Sequence, residues 1–167
     1  YGELVRTRKE RIVLDAAKII EPKIRNIALF PVGGVNALHA DVEDMPVLLP
    51  LAIMGDGVNH MANIVTSIAS AQDGVVLIDE IENGLHYSVL SDVWKAIGKA
   101  ARDFNVQVFA TTHSFECIEA AHKAFSEDKE YDFRLHRLQR TQKLGLHAVT
   151  YNQERLQAAI ETGFEVR

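Results

Sequence analysis

Apolar positions in this chain alternate between short unbroken runs and three-four spacing, the rhythm of strands interleaved with helices. Leu4 to Ile20 reads as a charged amphipathic helix stopped before Pro22. Ile24 to Phe30 is strand-like, and Gly33-Gly34 turns into a second strand that runs to about Asp41. Pro46 to Ile53 is extended and apolar, and Gly55-Asp56-Gly57 interrupts it. Val58, Met61, Val65 and Ile68 then predict a helix to about Ala71. Gln72-Asp73-Gly74 leads into Val75–Ile78, an apolar run that fits a strand buried on both faces. After His86, the residues Leu90, Val93, Trp94, Ile97, Ala101 and Phe104 form one helical face, and Val106 to Ala110 is another short strand. Ser114 suits the N-cap of the next helix, with Glu116 in its first turn. Strands near 132–139 and 146–151 follow, and Asn152 caps a last helix that Gly163 ends.

Helices alternating with short buried strands predict an α/β fold: a mostly parallel central sheet flanked by helices, with the early and late strand pairs antiparallel and peripheral. The 167 residues suffice for one domain, or a large part of one. A formal charge of −5 argues against a chain that wraps nucleic acid with its whole surface. Basic residues do gather near the start (Arg6, Arg8, Lys9, Arg11) and late (Arg134, Arg137, Arg140, Lys143), where solvated faces account for them. One cysteine, Cys117, cannot form an internal disulfide, which fits a reducing cytoplasm, and no apolar stretch is long enough to span a bilayer. Cys117 follows His113 by four residues on a helix, a spacing open to a thiol nucleophile, but a buried small hydrophobe is the expected role.

The chemistry concentrates in VVLIDEIENGLH, Val75 to His86. Two acids at the end of a buried strand carry a desolvation cost and so are expected to have a task. In parallel sheets the carboxyl ends of strands are where ligands sit. A second strand end carries Thr112-His113-Ser114, and a right-handed crossover would bring it beside the first. In that arrangement Asp79 can hold a magnesium ion directly or through water, and Glu80 can orient or deprotonate a nucleophilic water. His113 can contact the transferred phosphoryl group.

These segments resemble a known family. VVLIDE is similar to a Walker B motif with its catalytic glutamate, Glu82 to His86 to the loop that follows it in ABC-type ATPases, and ATTHS (Ala110 to Ser114) to their switch-histidine loop. LAIMGDGVNHM, Leu51 to Met61, resembles their signature motif, and Leu156 to Arg167, ending GFEVR, resembles the end of the module. The combination is most similar to AAA-family ATPases of the ABC/SMC type, related to the overcoming-lysogenization-defect proteins, and covers roughly Pro46 onward. The resemblance implies a P-loop NTPase-like fold, ATP and Mg2+ as ligands, and head-to-tail dimerisation on ATP binding with two composite sites. It assigns nucleotide contacts to Gly55, Asp56, Gly57, Asn83 and His86. Gly57 sits just ahead of a helix, whose N-terminus favours a phosphate, and His86 either meets the dimer partner or caps the next helix. Gly55 stands where the family often has serine, and His60 where it often has arginine or lysine.

No GxxxxGK[ST] occurs in the sequence, and Gly33-Gly34 lacks the lysine and hydroxyl residue that hold phosphates. The chain also begins at Tyr1. The expectation is therefore the carboxy-terminal half of an ATPase module: residues 1–22 as the end of a helical insertion, and residues 23–167 as the part that carries the Walker B, signature-like and switch-histidine motifs. The expected partners are ATP and a second copy in the intact protein, with nucleic acid left open, and no membrane. Two other functions compete. One is a non-catalytic binding or assembly surface, in which the catalytic residues are idle without a phosphate loop. The other is a metal-dependent nuclease or phosphatase that uses Asp79, Glu80, Glu82, His86 and His113 as a two-metal cluster.

Overall fold

The computed structural model describes residues 1–141 and 145–163. The order is α1 (Gly2–Arg6), α2 (Arg11–Ile20), β1 (Ile24–Val32), β2 (Val35–Val42), β3 (Leu49–Pro50), α3 (Asp56–Ser70), β4 (Val75–Ile78), α4 (Leu90–Asp103), β5 (Gln107–Ala110), α5 (Phe115–Ser126), β6 (Leu135–Thr141), β7 (Gly145–Tyr151) and α6 (Gln153–Glu161). Lys143 and Phe164–Arg167, which include most of the GFEVR ending, lie outside the described residues.

The long helix expected over Leu4–Ile20 is two helices. Arg8 adopts φ 59°, a left-handed conformation that ends α1. The Lys9 amide bonds the Leu4 carbonyl at 2.8 Å, and the Thr7 hydroxyl bonds the Glu3 carbonyl at 2.9 Å, so local hydrogen bonds satisfy the helix end. Lys9 lies over the Phe104 ring, 4.9 Å from its centroid. The extended apolar run at 46–53 is mostly turn: only Leu49 and Pro50 pair with β2, and a 3₁₀ turn, Leu51–Ile53, follows.

The central sheet is smaller than the sequence predicts. Among the described residues the strands form a three-stranded antiparallel sheet β1-β2-β3, a parallel pair β4-β5 and an antiparallel hairpin β6-β7. Parallel pairing needs a long crossover. Three segments carry a helix between strands, but α3 joins β3 to β4 and α5 joins β5 to β6 without placing either pair in one sheet, so only β4–α4–β5 yields a parallel pair. Nor is β4 buried on both faces. Val76 and Ile78 point into the core, whereas Val75, Leu77 and Phe109 are 54%, 79% and 49% exposed on the other side.

The core forms where α2, α3, α4 and α5 pack together over the inner faces of β1, β2 and β4. The α3 face reads as expected, with Val58, Met61, Val65 and Ile68 all buried. On α4 the buried face takes in Ala100 rather than Ala101, and Gly98 fits beneath the Phe125 ring. Trp94 donates its indole N–H to the Cys117 carbonyl at 3.2 Å and meets the Phe125 and Phe133 rings edge-on. Cys117 is a buried residue, as expected of a small hydrophobe, and burial pushes its thiol pKa up. Arg102 ties α4 to the segment after α5 through Asp132, with bonds of 2.8 and 3.1 Å, and Asp128 at 2.8 Å. Asn152 accepts from the Arg155 amide at 3.1 Å and caps α6 as predicted.

A second, separate cluster of Ile118, Leu156 and Ala159 holds α6 to α5. Leu156→Ala should therefore loosen α6 by about 2–4 kcal/mol without disturbing the main core. Hydrogen exchange should speed up across residues 153–161, while the Trp94 fluorescence transition stays nearly in place; a concerted shift of both would merge the two clusters into one cooperative unit.

Candidate functional site

The site starts from the register of the parallel pair. Ile78 lies opposite Ala110, so β4 and β5 release their chains on the same rim, as Asp79 and Thr111. Thr111 fastens the two ends with three of its polar groups. Its amide donates to the Ile78 carbonyl at 2.9 Å, and its carbonyl accepts from the Ile81 amide at 3.1 Å. Its hydroxyl accepts from the Glu80 amide at 2.9 Å and donates to Asp79 Oδ1 at 2.5 Å.

Glu80 leaves the strand geometry at φ 47°, an uncommon conformation for a residue with a side chain. The departure opens a turn closed by the Asn83 amide on the Glu80 carbonyl at 2.9 Å, and the Asn83 side-chain amide donates to Glu80 Oε2 at 2.6 Å. Asp79, Glu80 and Asn83 are thereby held on one exposed rim. His113, also exposed, is attached to it through its backbone, whose N–H donates to Glu82 Oε1 at 2.9 Å. Ser114 accepts from the Cys117 amide at 3.1 Å and caps α5, so the His113 loop runs from a fastened strand end to a fastened helix start.

The signature-like segment reaches the same loop by close packing. Gly55 is the N-cap of α3, at φ 104° and exposed, and Asp56 opens the helix. Gly57 is not ahead of the helix as expected from the sequence. It lies inside the first turn and is buried, with the Gly84 carbonyl oxygen 2.6 Å from where its Cβ would be. Gly84 itself is at φ +73°, with Asp56 Cβ 2.8 Å from its own Cβ position. Only glycines allow the two backbones this approach. Gly57 therefore serves packing of its own chain, and Gly55 and Asp56 are the exposed part of the segment. His60, on the same helix, has its Nε2 buried without a hydrogen-bond partner among the described residues.

His86 is a cap: its Nδ1 pairs with the Ser88 hydroxyl at 2.8 Å and the Ser88 amide at 3.4 Å at the start of the Tyr87–Val89 turn. A cleft of about 400 Å³ beside the rim is lined by Glu82, Leu85, Tyr87, Leu90, Ser114 and Glu116. Asp79, Glu80 and His113 stand outside it. Among the described residues no group of three or more His, Cys, Asp or Glu side chains could hold a metal ion by itself, so Asp79, Glu80, Glu82, His86 and His113 do not form a two-metal cluster. A single carboxylate beside a hydroxyl does fit magnesium, which takes one or two protein carboxylates and completes its shell with phosphate oxygens and water. Thr111 was not among the sequence's candidates, and Glu82 was one only as a member of the two-metal cluster. Thr111 is the residue opposite Asp79 in the extended register, a signal available once the strands are paired.

Residues 11–118 match the model of the AAA ATPase domain family. The chain belongs to this family. An ATP/GTP phosphatase of Helicobacter pylori is 35% identical over 106 residues, 61% of this chain and 28% of that protein. An uncharacterised protein of Methanocaldococcus jannaschii is 36% identical over 66 residues, 40% of this chain and 58% of that protein. The AAA ATPase domain described here thus spans only part of the length of either relative. Among solved structures it is similar to one from work on ATP-driven dimerisation and DNA-stimulated activation of SMC ATPases, with TM-score 0.56, 13% identity and 98% coverage of both chains. It is also similar to an SMC head bound to the C-winged helix domain of ScpA, with TM-score 0.60, 14% identity, and coverage of 89% of this chain and 44% of that one. At such identities the likeness concerns the α/β fold. No helix among the described residues is long and apolar enough to cross a membrane.

Thr111→Val should remove the hydroxyl that serves both Asp79 and the Glu80 amide. It should lower stability by about 1 kcal/mol and speed exchange of the Glu80 amide, whereas Thr111→Ser, which keeps the hydroxyl, should preserve both. Amide exchange followed by NMR checks this directly.

Proposed function

We propose that this chain supplies the water-activating and phosphate-sensing half of an ATP-hydrolysing module. The observation that carries the reading is the stitched rim, where Thr111 holds Asp79 and Glu80 beside the His113 loop. Asp79 is the magnesium ligand, and the bound ion would neutralise phosphate charge as it develops. Glu80, fixed by Asn83, orients a water and takes its proton. His113 faces the terminal phosphoryl group. Residues 1–22 are then the end of a helical insertion, and residues 23–167 the carboxy-terminal part of the ATPase domain.

The phosphate loop that this sequence lacks would come from a further segment of the intact protein. The open face of the β4-β5 pair supports this division, because parallel sheets are stable with both faces covered, and here Val75, Leu77 and Phe109 face outward. In the intact protein Gly55 and Asp56, at the start of α3, together with Asn83 in its loop, would meet a nucleotide held by a second copy. ATP binding would then close a dimer and drive a conformational task, on DNA or in defence against foreign DNA. His86 follows Asn83 in the same loop and orders the Tyr87–Val89 turn. A cytoplasmic location accords with a single cysteine that is buried and free of a disulfide.

In a polypeptide that includes the phosphate loop, Glu80→Gln should cut ATP turnover by about 10²–10⁴-fold while nucleotide binding persists; near-normal turnover would remove Glu80 from the role. The chain alone should bind magnesium-ATP no more tightly than about millimolar in calorimetry, and tight binding there would contradict the division into halves. Leu77→Ser separates the half-module from a self-sufficient assembly surface. It should leave the thermal stability of this chain within about 0.5 kcal/mol but cost about 2 kcal/mol once the covering segment is present.

A further inference from the structure

Glu82 is the least exposed of the three acids in the rim segment, half-buried where Asp79 and Glu80 are open to solvent. Its Oε1 accepts the His113 backbone N–H at 2.9 Å, and its Oε2 is buried without a hydrogen-bond partner among the described residues. Burial pushes its carboxyl pKa up, yet the Thr112 side chain and the backbone amides of His113, Glu82 and Ser114 outweigh burial, and the pKa lies below the ordinary glutamate value. A charged group accepting a backbone amide in a half-buried site makes one of the stronger kinds of hydrogen bond.

The position of this bond gives it consequence. Glu82 lies between Glu80, whose carboxylate Asn83 holds, and Gly84, against which α3 packs. On the other side, the His113 loop is fastened at Thr111 and at the Ser114 cap, and between them the Glu82 carboxylate ties it to the acidic loop through the His113 amide at 2.9 Å, with the Thr112 side chain and the Ser114 amide also stabilising its charge. We propose that Glu82 is a positioning residue whose carboxylate ties the backbone of His113 to the loop that carries Glu80 and Asn83, so that base and phosphate sensor keep a fixed spacing. The chemistry of this inference rests on the hydrolysis reading above; its geometry does not.

The test uses Glu82→Ala and Glu82→Gln in the full chain, with exchange of the His113 amide read by NMR and folding checked by Trp94 fluorescence. Glu82→Ala should raise exchange at His113 by about tenfold or more. Glu82→Gln, which keeps an oxygen acceptor, should stay within about threefold of the unmutated chain. Unchanged protection at His113 in a folded Glu82→Ala chain overturns the tie. Should that variant not fold, Glu82→Asp decides instead: its shorter carboxylate should lose the protection, and protection retained there overturns the proposal.

In a polypeptide that includes the phosphate loop, Glu82→Ala should lower kcat by about 10–100-fold with KM for ATP within about twofold, and Glu82→Gln should recover most of the loss. A rise in KM equal to the fall in kcat, or no rescue by glutamine, would reduce Glu82 to a packing role. Absence of turnover in the unmutated polypeptide, beside an intact exchange effect, overturns the hydrolysis reading and leaves the loop tie standing.

Discussion

The candidate site depends on one threonine. β4 and β5 are four-residue strands, and their ladder stops at Ile78 and Ala110. Thr111 extends the pairing past the point where regular strand stops, through bonds to Ile78, Asp79, Glu80 and Ile81. Those bonds also sustain the left-handed backbone at Glu80, which costs about 1–3 kcal/mol by itself. The Glu80 amide on the Thr111 hydroxyl, the Asn83 amide on the Glu80 carbonyl and the Asn83 side chain on Oε2 are of a size to offset that cost. The left-handed turn has a chemical result. In a regular strand Asp79 and Glu80 would project to opposite faces of the sheet; turning the chain at Glu80 lets both acids serve one rim.

The elements of the fold were legible where a periodic apolar face met a recognisable stop. α3 and α4 follow from their three-four spacing, and α5 and α6 from the side-chain caps Ser114 and Asn152. Two misreadings have physical causes. Arg8 breaks the amino-terminal helix without a glycine or proline to mark it, because backbone bonds from Thr7 and Lys9 and the Lys9–Phe104 contact hold the left-handed turn. The sheet was overestimated because an apolar run shows that a strand is present but not its neighbour. β3 joins β2 as a hairpin partner, and α3 then carries the chain across to a different sheet.

For the site, the sequence showed which residue types gather but not how each is used. Asp79, Glu80 and the His113 loop come to one rim as the strand ends imply, and Asn83, named only by the family resemblance, joins them there through Glu80. Gly57, taken for a phosphate-facing residue, is a packing glycine, and no sequence period could reveal that Gly84 comes within touching distance of it. Glu82 was grouped with its acidic neighbours although its carboxylate faces the opposite loop. That distinction rests on a contact between residues 31 positions apart, which spacing along one segment cannot carry.

On the proposed reading, the open face of β4-β5 and the missing phosphate loop have one solution. Among the described residues no strand pairs with the outer edge of β4 or of β5, and on this reading a further parallel strand takes one of them. Such a strand would end on the same rim as Ile78 and Ala110, because parallel strands share an edge for their carboxyl ends. The loop leaving it would then face Asp79 and Glu80, where a phosphate-binding turn is needed, and the helix after that loop would cover Val75, Leu77 and Phe109. Apolar burial and nucleotide chemistry thus make the same demand on one segment, and a chain that met only one of them would leave either a wet hydrophobic sheet face or an acid pair with no phosphate to act on.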